Sequence, residues 1–199
     1  MCTRYHLDDT AYEAALNQLN INAEEYVLAP NKDIYPSEAA PVILSSGKNG
    51  KMLVVENQVW GFPSVKERGL QVNARAETVL EKPMFSAAAR QSRCVIPAKH
   101  FYEWDEEKRM VTFKPESEKV LYMAGLYEWS RNRNFSRFVV ITREANEVVR
   151  PVHDRMPLLF QADEVREWLT RDDMVEELLR RDYSRLFRQR DYEQMKLDL

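Results

Sequence analysis

Four short segments of this chain carry side chains suited to chemistry, and the first begins at the second residue. Cys2 follows Met1. Cysteine is small enough for that methionine to be removed readily, which leaves an α-amine and a thiol on adjacent carbons. With ordinary pKa values of about 8 for the amine and about 8.5 for the thiol, both nucleophiles are partly active at neutral pH. Such a 1,2-aminothiol condenses with an aldehyde: the amine gives a Schiff base, and the thiol closes it to a five-membered thiazolidine. An incidental cysteine on a frayed terminus is the plain alternative. Cys94 lies in an apolar run and reads as a buried, inert thiol.

Glu103 stands among Phe101, Tyr102 and Trp104. A carboxylate crowded by aromatics tends toward a raised pKa, which suits proton transfer near pH 7. The alternative is a strand glutamate that faces solvent by simple alternation. His153 lies in Arg150-Pro-Val-His-Asp-Arg-Met-Pro157, where two prolines stiffen the backbone around the residue type best matched to acid or base work at physiological pH. Asn73-Ala-Arg-Ala-Glu-Thr78 follows the Gly69 turn and suits a ligand-gripping loop. Asn73 can donate and accept, and Arg75 can fork onto a phosphate. A capped helix start at Asn73 or Thr78 is the other reading. No His/Cys/Asp/Glu cluster shows metal-ligand spacing, so no metal is expected.

The rest of the chain must position these groups. It has 199 residues, 29 Lys+Arg against 32 Asp+Glu, and two cysteines. That length suits one domain with a sizeable core. Two cysteines exclude a disulfide framework and a four-cysteine zinc site. No apolar stretch approaches the roughly 20 residues of a membrane span, and the N-terminus lacks the apolar region of a secretory signal, so a cytoplasmic protein is expected. The net charge of -3 argues against coating nucleic acid by bulk charge. The charge is uneven, however. Residues 64–100 hold seven Lys/Arg and three acids, residues 130–155 six Arg and three acids, and residues 156–199 eight basic and eleven acidic residues. Solvated surface and two basic segments converging on a polyanion both remain open readings.

Thr10 and Glu13 fit a capping box ahead of an amphipathic helix over 10–20. Residues 30–41 read as an irregular crossing loop. Residues 41–44 and 52–55 form a hairpin about Gly47-Lys-Asn-Gly50, with 59–62 as a third strand. Pro83 opens a short helix through Ala89. Strand-like runs follow at 94–96, 101–104, 111–113, 121–124 and 138–141. Val165, Trp168 and Leu169, then Val175, Leu178 and Leu179, mark two helices. The expected fold is α+β, a single domain over 1–199 with a β-rich, barrel-like mixed-sheet body framed by helices and a helical C-terminal extension over about 162–199.

Taken together, the segments resemble the SOS response-associated peptidase family, whose members covalently capture abasic sites in single-stranded DNA. The resemblance runs from Met1 to about Phe160. It is carried by Met1-Cys-Thr-Arg-Tyr5, Pro41-Val-Ile43, Trp60-Gly61, Asn73-Ala-Arg-Ala-Glu-Thr78, Lys82-Pro-Met-Phe85, Arg93-Cys-Val-Ile-Pro-Ala98, Phe101-Tyr-Glu-Trp104, Thr142 with Ala145-Asn146, and Val152-His-Asp-Arg-Met-Pro157. It implies Cys2, freed of Met1, as the nucleophile, and Asn73 as the residue that positions the sugar or the Cys2 amine. Glu103 is implied as the acid/base for ring opening and the steps to thiazolidine, and His153 as an aid to sugar opening and crosslink reversal. Arg4, Arg75 and Arg155 are implied phosphate contacts, and Trp60 and Trp104 are implied to pack against bases beside the lesion. The implied activity is DNA–protein crosslinking with little turnover, together with self-processing, peptidase- or lyase-like chemistry. It would belong to a monomer acting in the cytoplasm on nucleoid DNA at damaged replication forks. A thiol peptidase acting on other proteins and a non-catalytic single-strand binding module are the alternatives. The chain departs from the family pattern at Thr3, Leu44 and His100, and in a short segment between Trp60 and Asn73.

Overall fold

β-branched and aromatic residues dominate the middle of the chain, and in the computed structural model they form strands. The structure describes residues 2–22, 30–46, 52–64, 68–129, 136–183 and 185–190. In chain order these give β1 (Tyr5–Leu7), α1 (Asp9–Gln18), β2 (Lys32–Ile34), β3 (Ala39–Ser46), β4 (Met52–Trp60), β5 (Phe62–Pro63), β6 (Leu70–Gln71), β7 (Asn73–Arg75), α2 (Ser86–Gln91) and β8 (Arg93–Ala98). Then follow β9 (His100–Trp104), β10 (Met110–Pro115), β11 (Leu121–Trp129), β12 (Ser136–Glu144), β13 (Arg155–Pro157), β14 (Leu159–Phe160), α3 (Ala162–Thr170), a 3₁₀ turn at Asp172–Met174, α4 (Val175–Leu178) and β15 (Leu186–Arg190).

The larger sheet runs β13-β12-β4-β3-β8-β11-β14, and β12 also pairs with β11, so its central strands close on themselves. Its β4–β12 and β7–β12 ladders are parallel while the others are antiparallel. A second sheet of order β15-β10-β9-β1-β2 packs with it. The α+β class and mixed-sheet body expected from the sequence are the ones the chain adopts. Closure demands a glycine at one crowded place. A Cβ on Gly125 would collide with Ile96 Cδ1 and stand 2.8 Å from Cys94 Sγ and 2.9 Å from the Val139 carbonyl oxygen. Glycine there lets β8, β11 and β12 approach one another.

Several elements differ from the sequence expectation. α1 starts at Asp9 because Asp8, two residues before Thr10, is its cap, its side chain accepting from the Ala11 N–H. The stretch expected as a crossing loop contains β2, which gains its order by pairing with β1. Pro83 sits in turns, and α2 begins at Ser86. Asn73 opens a strand rather than a helix, since Asn73–Arg75 aligns parallel with Val140–Thr142. The two C-terminal helices exist, but the segment beyond them is not helical throughout. Leu186–Arg190 pairs with β10, whose open edge satisfies its backbone groups. The Gly47–Gly50 turn and the last nine residues lie outside the described residues.

Trp60 is a core residue, and its expected place against DNA bases is corrected by its complete burial. Its ring lies 6.0 Å from Phe138 and 5.4 Å from Tyr5, and its Nε1 donates to the Val72 carbonyl at 2.8 Å. A side chain with no accessible surface and a satisfied N–H has nothing to offer a base. Trp60→Ala is therefore expected to cost about 3–5 kcal/mol in urea unfolding.

Candidate active site

Four residues from four parts of the chain converge where β1, β7 and β9 lie close together. Cys2 precedes β1 and is fully buried, its thiol donating to the Arg4 carbonyl oxygen at 3.7 Å. Asn73 opens β7, which is held against β12, and its Nδ2 donates to the Cys2 carbonyl at 2.9 Å. The Asn73 Oδ1 is buried and, among the described residues, has no partner. Glu103 lies on β9, which pairs with β1 on one side and β10 on the other. His153 follows the turns that lead into β13, and its Nε2 lies 4.0 Å from Glu103 Oε2.

Strand alternation decides what surrounds Glu103. Residue types alternate across a strand, so Glu103 shares its face with Phe101, and both are buried. Tyr102 and Trp104 face the other way. Glu103 is thus not the solvent-facing strand residue that alternation alone allowed. Burial pushes its carboxyl from an ordinary 4.5 up to about 7, and the nearby Asp154 charge adds to this. At neutral pH the group is poised to give or take a proton. Burial also pushes the Cys2 thiol far upward, and the Glu103 charge reinforces it, so the thiol stays protonated until a base removes its proton.

His153 has a defined tautomer. Its Nδ1 accepts the Arg155 backbone N–H at 2.9 Å, and the Asp154 carboxylate lies at the same distance. The two contacts ask for opposite protonation of Nδ1. The backbone amide is fixed, whereas the Asp154 side chain is 86% exposed and free to turn away. The amide therefore prevails and neutral His153 carries its proton on Nε2, toward Glu103. Burial lowers the His153 pKa below its ordinary value, which keeps the ring neutral.

The arginines of the two basic segments are largely occupied. Arg155 grips Glu77 with two nitrogens at 2.7 and 2.9 Å and donates to the Thr142 carbonyl at 2.7 Å. Partial burial works against ionisation of Glu77, but the Arg155 hydrogen bonds prevail and hold its carboxyl below the usual range. Arg93 is buried against the Trp168 and Arg90 carbonyls, Arg137 donates to the Gly61 carbonyl, and Arg150 to that of Ala145. Arg75 is exposed on β7, and Trp104 is half-buried at the end of β9. Arg4 is held by Asp33, whose Oδ2 accepts its Nε at 2.8 Å and also its Nη2.

Asp33 escaped the sequence reading, because nothing in the chain marks it as a partner of residues so far away. Its Oδ1 meets His6 Nδ1 at 2.7 Å and accepts the Tyr102 hydroxyl at 3.0 Å, and His100 Nε2 lies 2.7 Å from that hydroxyl. His6, Asp33 and His100 thus bring possible ligand atoms within 4.8 Å of one another. The two imidazoles are stacked 4.9 Å apart at 4°, so their in-plane lone pairs do not converge on one ion, and Arg4 already neutralises the carboxylate. The arrangement fits a hydrogen-bonded network better than a metal cage. Burial, helped by the His6 and Lys114 charges, lowers the His100 pKa to about 4.

Among the described residues no helix is long and apolar enough to cross a membrane. The family model for SOS response associated peptidase (SRAP) matches residues 1–197. The chain is 33% identical to the abasic site processing protein YoaM of Bacillus subtilis, over 90% of this chain and 85% of that protein. It is 23% identical to the abasic site processing protein YedK of Escherichia coli, over 65% of this chain and 61% of that one. A solved structure of a Bordetella bronchiseptica protein superposes with a TM-score of 0.78 at 20% identity, covering 95% of this chain and 99% of that one. A Bacteroides thetaiotaomicron protein gives a TM-score of 0.76 at 22% identity, covering 94% and 90%. With the four-residue cluster, the shared fold and a match along almost its whole length, this chain belongs to the SOS response associated peptidase (SRAP) family.

Proposed function

We propose that this protein captures abasic sites in single-stranded DNA by a covalent bond from Cys2 to the opened sugar. The observation that carries this reading is the convergence of Cys2, Asn73, Glu103 and His153, with Asn73 on the Cys2 carbonyl and Glu103 facing His153. Abasic-site processing relatives such as YoaM support the same substrate.

The chemistry starts with a closed sugar that is mainly unreactive. A base takes the hydroxyl proton at C1 as an acid protonates the ring oxygen, and the aldehyde is released. Glu103 and His153, with matched and adjustable protonation, serve this exchange, each contributing about 10²–10⁴-fold. The Cys2 α-amine, exposed once hydrolysis removes Met1 in a self-processing step, adds to the aldehyde carbon. Loss of water gives the imine, and Asn73 Oδ1 is the buried acceptor available to orient the amine. The thiol then adds through sulfur to the imine carbon, and its proton passes by way of Glu103 to the imine nitrogen. The thiazolidine that results needs no metal or organic cofactor. Arg75 and Trp104 flank the site as phosphate and base contacts, and Arg155 braces the Asn73–Thr78 segment through Glu77.

A buried thiol held protonated is a poor match for a peptidase that attacks as a thiolate, since such enzymes lower the thiol pKa. It suits a reaction in which the amine attacks first and the thiol follows within the same site. The deciding experiment mixes the protein, shown by intact mass to begin at Cys2, with a single-stranded oligonucleotide bearing one abasic site. A shifted band on a denaturing gel is the expected result, and its absence would sink the reading.

A further inference from the structure

Tyr35 stands out on the surface one residue beyond β2, with its ring beside Arg4. Among the described residues only Tyr35, Met52 and Phe187 are large hydrophobics with high exposure, and Tyr35 is 43% exposed. Met52 and Phe187 lie on strands with no register to the N-terminal segment. Tyr35 does have one: Tyr5 faces Ile34 across β1 and β2 and Phe101 across β1 and β9, so the preceding step sets Arg4 between Tyr35 and Tyr102. The guanidinium lies 5.4 Å from the Tyr35 ring centre and 4.5 Å from that of Tyr102. With two residues of chain and one strand spacing between them, Tyr35 stands on the order of 8 Å from Cys2. That is roughly two nucleotides at about 3.4 Å each in a stacked strand, or one in an extended strand.

The backbone under this ring is ordered in advance. The Glu38 N–H donates to the Tyr35 carbonyl at 3.1 Å, with Pro36 and Ser37 between them and Ser37 at φ 75°, which makes a type II turn. The Tyr35 N–H in turn donates to Glu38 Oε2 at 3.1 Å, and Lys32 holds Oε1 of the same carboxylate. Arg4 cannot act as a free phosphate clamp, because Asp33 takes its forked face. What it does is support an aromatic ring from below with a charge already neutralised. A rigid ring needs little further ordering when it binds a flat partner. The polar rim of Arg4, Asp33 and His6 suits a heteroaromatic base better than an apolar peptide side chain.

We propose that Tyr35, supported by Arg4, is a stacking subsite for the nucleobase flanking the lesion in single-stranded DNA. This rests on the abasic-site reading above and adds to it a residue that selects how the neighbouring nucleotide lies. Stacking on an aromatic side chain is tolerant of sequence because every base has a π-face.

The test uses Cys2→Ala protein and oligonucleotides bearing a tetrahydrofuran abasic analogue, which has no aldehyde to condense with the remaining α-amine, with 2-aminopurine placed on one or the other side of the analogue. Tyr35→Ala in that background is expected to weaken binding by about 10-fold in fluorescence anisotropy. It should also abolish the 2-aminopurine fluorescence change on one side only. Tyr35→Phe and Tyr35→Trp should restore both signals, whereas Tyr35→Leu should not, which separates stacking from simple support of the fold. Tyr35→Ala protein with Cys2 intact should need about 10-fold more abasic DNA to reach half-maximal crosslinking. Unchanged affinity in Tyr35→Ala, or full rescue by leucine, overturns the subsite while leaving crosslinking intact. Loss of crosslinking in the wild-type protein marks failure of the underlying reading instead.

Discussion

Glu103→Gln is expected to slow crosslinking by about 10²–10⁴-fold and, at the same time, to make the protein more stable at pH 8. Both effects have one cause. Burial holds the Glu103 carboxyl at about 7 in the folded chain against an ordinary 4.5. Below pH 4.5 the folded and unfolded chains both carry the proton, and the group has no effect on stability. As pH rises from 4.5 to 7 the unfolded chain releases its proton while the folded chain keeps it, so stability falls. Above about pH 7 both forms are ionised and the loss levels off at roughly 3 kcal/mol. Glutamine does not titrate, so the stability advantage of Glu103→Gln should grow by that amount between pH 4 and pH 8. Urea unfolding across this range measures it. Parallel profiles for the two proteins would mean that Glu103 ionises like an ordinary surface carboxylate. The gain in stability with loss of activity is the exchange expected of a group kept buried for its chemistry.

Cys2→Ser should separate the two nucleophiles. Serine keeps the α-amine but supplies a hydroxyl, a far weaker trap for an imine than a thiol. Crosslinks that survive denaturation are expected to fall to background, and borohydride added during the reaction should recover a band by reducing the imine. Acetylation of the amine in otherwise intact protein should abolish both outcomes. A peptidase acting through sulfur alone would survive acetylation and lose activity only with Cys2→Ser. If Cys2→Ser crosslinks like the wild type without reductant, the thiol has no part in the stable product.

Much of this site is legible in the linear chain because its motifs are local. Phe101-Tyr-Glu-Trp104 specifies a strand by composition, and Val152-His-Asp-Arg-Met-Pro157 a stiff turn by its proline. The β-rich body could be read from short apolar runs of period two. Longer-range facts could not. Trp60 reads as readily as a base-stacking residue as a core one, and only the packing of Tyr5 and Phe138 around it decides. Leu186–Arg190 has no strong strand signal of its own and becomes a strand because β10 offers an unpaired edge. Thr10 offered a capping box, yet Asp8 takes the cap, since two caps only two residues apart compete within local energies of about 1 kcal/mol.

By itself, then, the sequence determined the residue types: an aminothiol precursor at position 2, a carboxylate, an imidazole and an amide in segments of recognisable pattern, all on a chain fit for a mixed-sheet fold. Tertiary structure decided their state and their partners. It turned Glu103 inward and so raised its pKa, put the His153 proton on Nε2 through the Arg155 amide, and drew Arg4 away from solvent onto Asp33. Side-chain chemistry is a property of residue type, but protonation and availability depend on the low-dielectric surroundings and on partners that lie far apart in sequence. Those are set only when strands from distant parts of the chain are brought into register.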